Sequence, residues 1–411
     1  MSAPRAKETR PVLIVGAGPV GMVAALALHR REVPVVVVEA EPAPVKDQRA
    51  ASTQPPTLAM LAELGLYERM LERGLISTAF RFFDRESGER IAEFDCALLK
   101  DDASFPFVLQ HEQFKLVDTI LGVLKGAPGF TVRFSTRYAG GEQTGSLVRA
   151  NLETADGPEV VEAAYVVGCD GGHSTVRRSA GIAFEGFTFP EKFIKIGTTF
   201  DFQSWRDYCY RNYFSDPDEW CNLFKVQGDG PPTPGIWRCV FPCRVGESDE
   251  AALSPAGCEA RLHKFFPGFS NFEIAYRSIY TVSQRVAQTF RLGRVLLAGD
   301  AAHVNNPIGG LGMNGGIHDA INLAPKLADL WHGAGDEASL DLYSRQRRQA
   351  QHDFVQAQTI RNKRELEERD PAIRRRNLDE LKRVAETPAR ARDFLRQATL
   401  IESLAAVAAV A

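Results

Sequence analysis

Three glycines, Gly16, Gly18 and Gly21, stand between an apolar run, Val12-Leu13-Ile14-Val15, and a helical stretch from Met22 to His29, with Pro19 and Val20 inside the turn. Strand, glycine turn and helix in that order suit a nucleotide pyrophosphate. One glycine allows the tight turn, one the approach of backbone to phosphate, and one the close packing of helix on strand, while the helix start offers free N–H groups and partial positive charge. Val35 to Val38 reads as a second buried strand and Glu39 closes it. That places a carboxylate about 20 residues past the glycine turn, where it can accept from a ribose hydroxyl. A glycine motif alone also occurs in purely structural turns; the register with strand, helix and acid makes this one specific.

A second site lies far along the chain, at Arg294-Val295-Leu296-Leu297-Ala298-Gly299-Asp300-Ala301-Ala302-His303. Asp300 could serve simply as a helix N-cap. The continuation argues for more: Pro307-Ile308-Gly309-Gly310-Leu311-Gly312-Met313-Asn314-Gly315-Gly316 brings bare backbone towards a flat ligand and starts a helix that runs through Lys326. Gly310 to Gly315 also fits the GxGxxG spacing, but it sits well past its strand and no strand-borne carboxylate follows at the required distance. Between the two sites, Tyr165-Val166-Val167-Gly168 delivers Asp170, Gly171 and Gly172 into a turn, where Ser174 can cap a helix carrying Arg177 and Arg178. Taken alone, that segment is equally an ordinary capped helix. One nicotinamide pocket would not need sites so far apart, whereas an extended dinucleotide held at both ends would, and the ligand is read as FAD.

In this order and spacing the three segments resemble the single-component FAD-dependent aromatic hydroxylases, the para-hydroxybenzoate hydroxylase and phenol hydroxylase type, as far as about Arg345. The resemblance implies an α/β fold: a Rossmann-like FAD-binding domain with a parallel sheet, an inserted antiparallel-sheet substrate domain and a helical C-terminus. The expected division is 10–75, 100–185 and 278–345 for a discontinuous FAD domain, 76–99 and 186–277 for the substrate domain, and 346–411 for the C-terminal helices. By the same likeness Glu39 holds the adenosine ribose. Asp170 and Gly171 lie by the pyrophosphate and the nicotinamide approach path, and Asp300 binds the ribityl chain. Pro307, Gly312, Met313 and Asn314 belong to a loop facing the isoalloxazine ring, and Arg49 and Gln110 match FAD-contacting positions. His173 departs from the small residue many relatives carry, and solvent is its simplest location. The implied reaction takes NAD(P)H as reductant and O2 as co-substrate, and hydroxylates an activated phenolic or heteroaromatic ring through a flavin C4a-hydroperoxide.

The rest of the chain must position these parts. Phe80 to Phe94 reads as a hairpin turning at Ser87-Gly88. Phe187 to Tyr280 reads as an antiparallel sheet interrupted at Asp216-Pro217-Asp218 and by the Gly228 to Pro234 breaker cluster. Its aromatic residues Tyr208, Tyr210, Tyr213, Trp220, Phe224, Trp237 and Phe241, together with Arg238, supply the substrate-site candidates. Each is individually more often core than pocket. Arg238 as a carboxylate partner and Tyr213 as a phenol partner are preferred; the catalytic base is unassigned.

Composition narrows the alternatives. With 44% hydrophobic and 25% charged residues, 411 residues can bury a large core in two or three domains, and a net charge of -3 gives no field for nucleic acid. The polar Met1 to Arg10 segment is no signal peptide and no run suggests a membrane span, so a soluble cytoplasmic enzyme is expected. Seven scattered cysteines without completing histidines suggest reduced thiols and no metal. The arginine-rich C-terminal stretch, which is also acidic, reads as a solvated helix face or a homodimer contact. A small aromatic molecule is the expected partner. A same-fold reductase or halogenase remains as an alternative, the latter weakened by the lack of a Trp-x-Trp-x-Ile-Pro signature, as does a non-catalytic flavin redox sensor.

Overall fold

The computed structural model describes residues 8–46, 49–228, 235–269 and 271–410. Most of the expected Gly228 to Pro234 breaker and of the Met1 to Arg10 segment therefore lies outside the described residues.

The apolar runs without alternation form the buried inner strands of a sheet whose two edge strands are partly exposed. Its order is Arg291–Leu292, Val295–Leu297, Tyr165–Gly168, Val12–Val15, Val35–Val38 and Phe130–Arg133, all parallel except the first, a short edge strand. Such runs have no polar face to give to water and can only be central. Pro19–His29 begins at the glycine turn, with proline at a position where its missing N–H costs nothing. Val20 to Leu28 are all buried, which fits a helix apolar on every side. It packs against the long Gly312–Trp331 helix.

A second sheet of eight strands runs in the order His303–Val304, Ile274–Ala287, Phe184–Thr198, Ile236–Pro242, Cys221–Val226, Arg211–Ser215, Ala79–Asp84 and Arg90–Asp95. One pairing departs from the expected antiparallel sheet: the hairpin joins it with Ala79–Asp84 parallel to Arg211–Ser215. Ile274–Ala287 continues as one strand across residue 278, where the sequence reading placed a boundary.

Alternation sorts this sheet's side chains. On one face Phe214, Leu223, Trp237, Cys239 and Phe241 pack with Leu262 and Phe265 of the Pro255–Phe265 helix, and Tyr208, from the loop before the Arg211 strand, joins them. On the other, Tyr213, Val240, Phe193 and Val282 meet Ile308 of the glycine-rich loop and Leu366. Tyr208, Trp237 and Phe241 thus belong to the remote core and leave the pool of substrate-site candidates.

Ala338–Ala350, a π-turn at Gln351–Gln356 and Ala357–Leu366 form one continuous helix. Asp370 then caps Pro371–Glu386 by accepting from the amides of Ala372 and Ile373, each at 2.9 Å. Among the described residues no helix is long and apolar enough to cross a membrane, all seven cysteines are unpaired, and no cluster of histidine, cysteine and carboxylates could hold a metal.

Candidate active site

A cavity of about 490 Å3 opens at the carboxyl ends of the first two parallel strands, lined by Gly16, Gly18, Pro19, Glu39, Arg49, Asp170, Gly171, His173 and Arg178 among others. Its shape follows from the glycines. Gly16 has φ +106°, and a Cβ there would run into the Cys169 carbonyl; a Cβ on Gly21 would overlap the Gly16 carbonyl oxygen. Gly18 differs, because a Cβ there meets nothing within 4 Å and would project into open space. Two glycines are thus needed for chain packing, and the third leaves bare backbone facing the cavity. That is a cradle for a diphosphate, and the residues present fit FAD.

The Glu39 carboxylate accepts from the amides of Ala17 at 2.8 Å and Glu41 at 3.0 Å, which fixes its orientation beside the turn. A carboxylate has about four acceptor positions, so capacity remains for a ribose hydroxyl. Asp170 accepts from Ser174 Oγ at 2.5 Å and from the amides of Thr175 and Val176 at 2.6 and 3.1 Å, while Ser174 Oγ accepts from the Arg177 amide at 2.9 Å. Capping the Thr175–Ser179 helix is therefore its visible work, at the cavity edge. His173 is exposed at that edge.

The two distant halves meet here. Arg49 Nη1 stands 4.0 Å from Asp300 Oδ2, both partly exposed. Behind Asp300, the fully buried Asp319 accepts from the Gly299 amide at 3.0 Å, His303 Nε2 at 2.7 Å and Arg347 Nε at 2.7 Å. Burial pushes the Asp319 carboxyl up, but His303 and Arg347 outweigh it and hold the group below the usual carboxylate range. Asn314 binds the second half to the first: Oδ1 accepts from the Gln54 amide at 2.9 Å, and Nδ2 donates to the carbonyls of Ser52 and Gly310 at 2.8 and 2.7 Å. Gln110 Oε1 accepts from Ser52 Oγ at 2.6 Å and its Nε2 donates to the Tyr210 carbonyl at 3.3 Å. Pro307 and Gly310 form a turn in the same loop, with the Gly310 amide donating to the Pro307 carbonyl at 3.0 Å. Gly312 and Met313 begin the Gly312–Trp331 helix that carries Asn314.

Sheet register lays out the face that meets the glycine-rich loop. One row across the strands is Phe80, Arg211, Phe224, Arg238, Gly197 and Tyr276; the next holds Phe82, Tyr213, Asn222, Val240, Lys195 and Ser278. The residue that sequence reasoning passed over is Arg211. It is fully buried, Nη2 donates to the Tyr213 hydroxyl at 2.7 Å and the Gly309 carbonyl at 3.2 Å, and Nε and Nη1 have no hydrogen-bond partner. No carboxylate pairs with it among the described residues; instead its guanidinium lies 4.5 Å from the Phe80 ring centre and 5.5 Å from that of Phe224. Isolated buried guanidinium groups are expensive to desolvate. Arg238 is also buried, further along the same row, with its guanidinium 5.9 Å from the Tyr276 ring. In the sequence Arg211 stands in a mixed run, Arg211-Asn212-Tyr213-Phe214-Ser215, which carries no sign that this charge is buried.

The model of a family described as FAD binding domain matches residues 9–358. Para-nitrophenol 4-monooxygenase of Pseudomonas sp. (strain WBC-3) is 32% identical over 391 residues, covering 93% of this chain and 94% of that one. 6-Hydroxy-3-succinoylpyridine 3-monooxygenase HspB of Pseudomonas putida (strain DSM 28022 / S16) is 32% identical over 365 residues, covering 88% and 90%. The crystal structure of p-nitrophenol 4-monooxygenase PnpA from Pseudomonas putida DLL-E4 superposes with a TM-score of 0.90 at 31% identity, over 97% of this chain and 98% of that one.

Proposed function

Since the chain belongs to the FAD-dependent aromatic hydroxylases and is an NAD(P)H-dependent flavoprotein monooxygenase, we propose that its substrate is a small phenol bound as the phenolate, with an electron-withdrawing group that makes the hydroxyl acidic. The observation that carries this is the Arg211 and Tyr213 pair. The Tyr213 oxygen already accepts from Arg211 Nη2, so its own proton is available to donate to a substrate oxygen. With the two unpartnered nitrogens of Arg211 alongside, the wall favours O⁻ over OH. The same ionisation raises electron density on the ring to be attacked. The substrates named for the two relatives, para-nitrophenol and 6-hydroxy-3-succinoylpyridine, are hydroxylated rings bearing such a group.

FAD, when bound, supplies hydride acceptance from NAD(P)H and activation of O2 for transfer to the ring. In our reading Gly16, Gly18, Pro19, Val20 and Gly21 bind the diphosphate through backbone amides, Glu39 holds the adenosine ribose, and Arg49 and Asp300 hold the ribityl side. Gln110, Asp170, Gly171, Gly312, Met313 and Asn314 complete the cradle. Pro307 to Gly310 face the ring, and the apolar cluster of Ile308, Tyr213, Phe193 and Leu366 excludes water from the reacting atoms. Arg238 is a second anion partner, for a substituent at the far end of the row. Dependence on NAD(P)H suits a cytoplasmic location, and the outer side of the Pro371–Glu386 helix, whose inner side packs through Leu378, Leu381 and Val384, is the face we assign to a homodimer.

The test is a series of para-substituted phenols assayed for stimulated NAD(P)H oxidation across pH. If KM tracks the phenolate fraction of each compound, the reading stands. Equal KM for ionised and neutral members would end it.

A further inference from the structure

The helix from Ala338 to Leu366 begins the arginine-rich stretch read from sequence as a solvated face or dimer contact, yet its π-turn meets the glycine-rich loop through a closed set of buried amides. Gln356, the last residue of that turn, accepts at Oε1 from Gln284 Nε2 at 2.8 Å and donates from Nε2 to the Val304 carbonyl at 3.0 Å. Gln284 Nε2 also donates to Thr359 Oγ1 at 3.1 Å. Its Oε1 accepts from both the backbone amide and the Nδ2 of Asn306, the latter at 3.1 Å. Asn306 Nδ2 reaches the Thr359 carbonyl at 2.9 Å, and Asn306 Oδ1 accepts from the Ile308 amide at 3.1 Å. Asn306, Gln284 and Gln356 are 0%, 2% and 8% exposed.

A π-turn inserts one extra residue into a helix and re-aims the side chains around it, and such turns recur at functional sites. Here the re-aimed residues bind the segment just before Pro307. Further along the same helix, Asn362 Nδ2 donates to the Ile308 carbonyl at 3.3 Å. The Leu366 carbonyl accepts from the Asp216 amide at 3.0 Å and Ser215 Oγ at 3.3 Å, at the end of the strand that carries Arg211 and Tyr213. One helix therefore ties the loop to the substrate wall.

We propose that Gln284 and Gln356 are positioning residues that hold the Pro307 to Gly310 loop closed and so decide how much NAD(P)H is used for hydroxylation; this rests on the reading that the loop faces the flavin ring. In the coupled reaction NAD(P)H, H+, O2 and ArH give NAD(P)+, H2O and ArOH. With a loosened loop water enters, and NAD(P)H, H+ and O2 give NAD(P)+ and H2O2 with the ring untouched. Neither residue touches substrate in this account; Gln284 acts through Asn306, and Gln356 through Gln284 and the Val304 carbonyl.

The experiment uses FAD-loaded holoenzyme and its FAD-free form, each as wild type, Gln356→Met and the fully buried Thr359→Val. The share of NAD(P)H recovered as H2O2 is expected to rise roughly three-fold or more. Hydrogen exchange at the Asn306 and Ile308 amides is expected to accelerate about ten-fold even without FAD, while FAD affinity stays within about two-fold, since no cradle residue is altered. A folded variant with a lower melting temperature but unchanged exchange and unchanged peroxide share overturns the proposal. So does loss of FAD from both variants. Faster exchange with an unchanged peroxide share also overturns it, and locates the failure in the flavin-facing reading of the loop.

Discussion

Replacing Arg211 by methionine sets stability against binding, and the structure gives both signs. The guanidinium is fully buried, has no carboxylate partner among the described residues and leaves Nε and Nη1 unpaired. The bonds it does make, to the Tyr213 hydroxyl and the Gly309 carbonyl, contribute about 1.5–3 kcal/mol each as charge-assisted hydrogen bonds. The Phe80 and Phe224 rings add about 0.5–2 kcal/mol each. Against this stands a desolvation cost of several kcal/mol for a buried unpaired ion. The opposing contributions are of similar size, so Arg211→Met should leave the substrate-free holoenzyme within about 2 kcal/mol of wild type, on the stabilised side, because similar-volume apolar replacement removes the unpaired nitrogens outright. A phenolate, however, loses a charge-assisted contact of about 1.5–3 kcal/mol, or roughly 10- to 150-fold in affinity. The assay is urea unfolding of the holoenzyme with and without substrate, beside KM for an acidic phenol. Substrate should stabilise wild type and have little effect on the variant. An Arg211→Met protein destabilised by about 4 kcal/mol or more, with an unchanged KM, would show that the residue belongs to the core, and the reasoning would fail.

Gly18→Ala and Gly21→Ala should behave differently although they share one motif: a Cβ on Gly18 meets open space, so that protein folds but binds FAD about ten-fold or more weakly, whereas Gly21→Ala fails to accumulate as a folded protein. Fluorescence titration with FAD and far-ultraviolet circular dichroism separate the two outcomes. Glu39→Gln removes an ionic acceptor, and FAD affinity should fall roughly 10- to 100-fold by the same titration, with riboflavin binding unaffected. Acid should destabilise the fold through His111 and His318, each pushed down to about 3, mainly by burial. Below about pH 6.5 the unfolded chain takes up protons that the folded one refuses, so stability present above that pH is lost towards pH 3, at about 2 kcal/mol per histidine by pH 5. Substituting His111, which has no hydrogen-bond partner on either ring nitrogen, by phenylalanine should flatten that decline in urea midpoints between pH 7 and 5.

The parts that could be read from sequence are those where a short segment carries its own constraint. Val12 to Val15 and Val35 to Val38 have no polar face and must be central strands; the glycine turn between the first of them and Pro19–His29 follows from backbone sterics. Arg211 was hidden because its meaning depends on register: only the pairing with Phe224 and the packing over Phe80 put it on the face towards Gly309. The same alternation that brings Tyr213 to that wall sends Trp237 and Phe241 to the other core, and a one-residue difference in strand start reverses the assignment. The parallel docking of Ala79–Asp84 and the Gln284, Asn306 and Gln356 set join segments distant in sequence, for which polar residue types give no local signal.

The central claim, that this flavoprotein inserts one atom of O2 into a phenolic ring, is tested most directly by turnover under 18O2 in ordinary water, with an acidic phenol that stimulates NAD(P)H oxidation. One 18O atom per hydroxylated product molecule is the predicted result. A product whose new oxygen comes from water, or stimulated oxidation that yields only labelled hydrogen peroxide with every phenol tried, would contradict it.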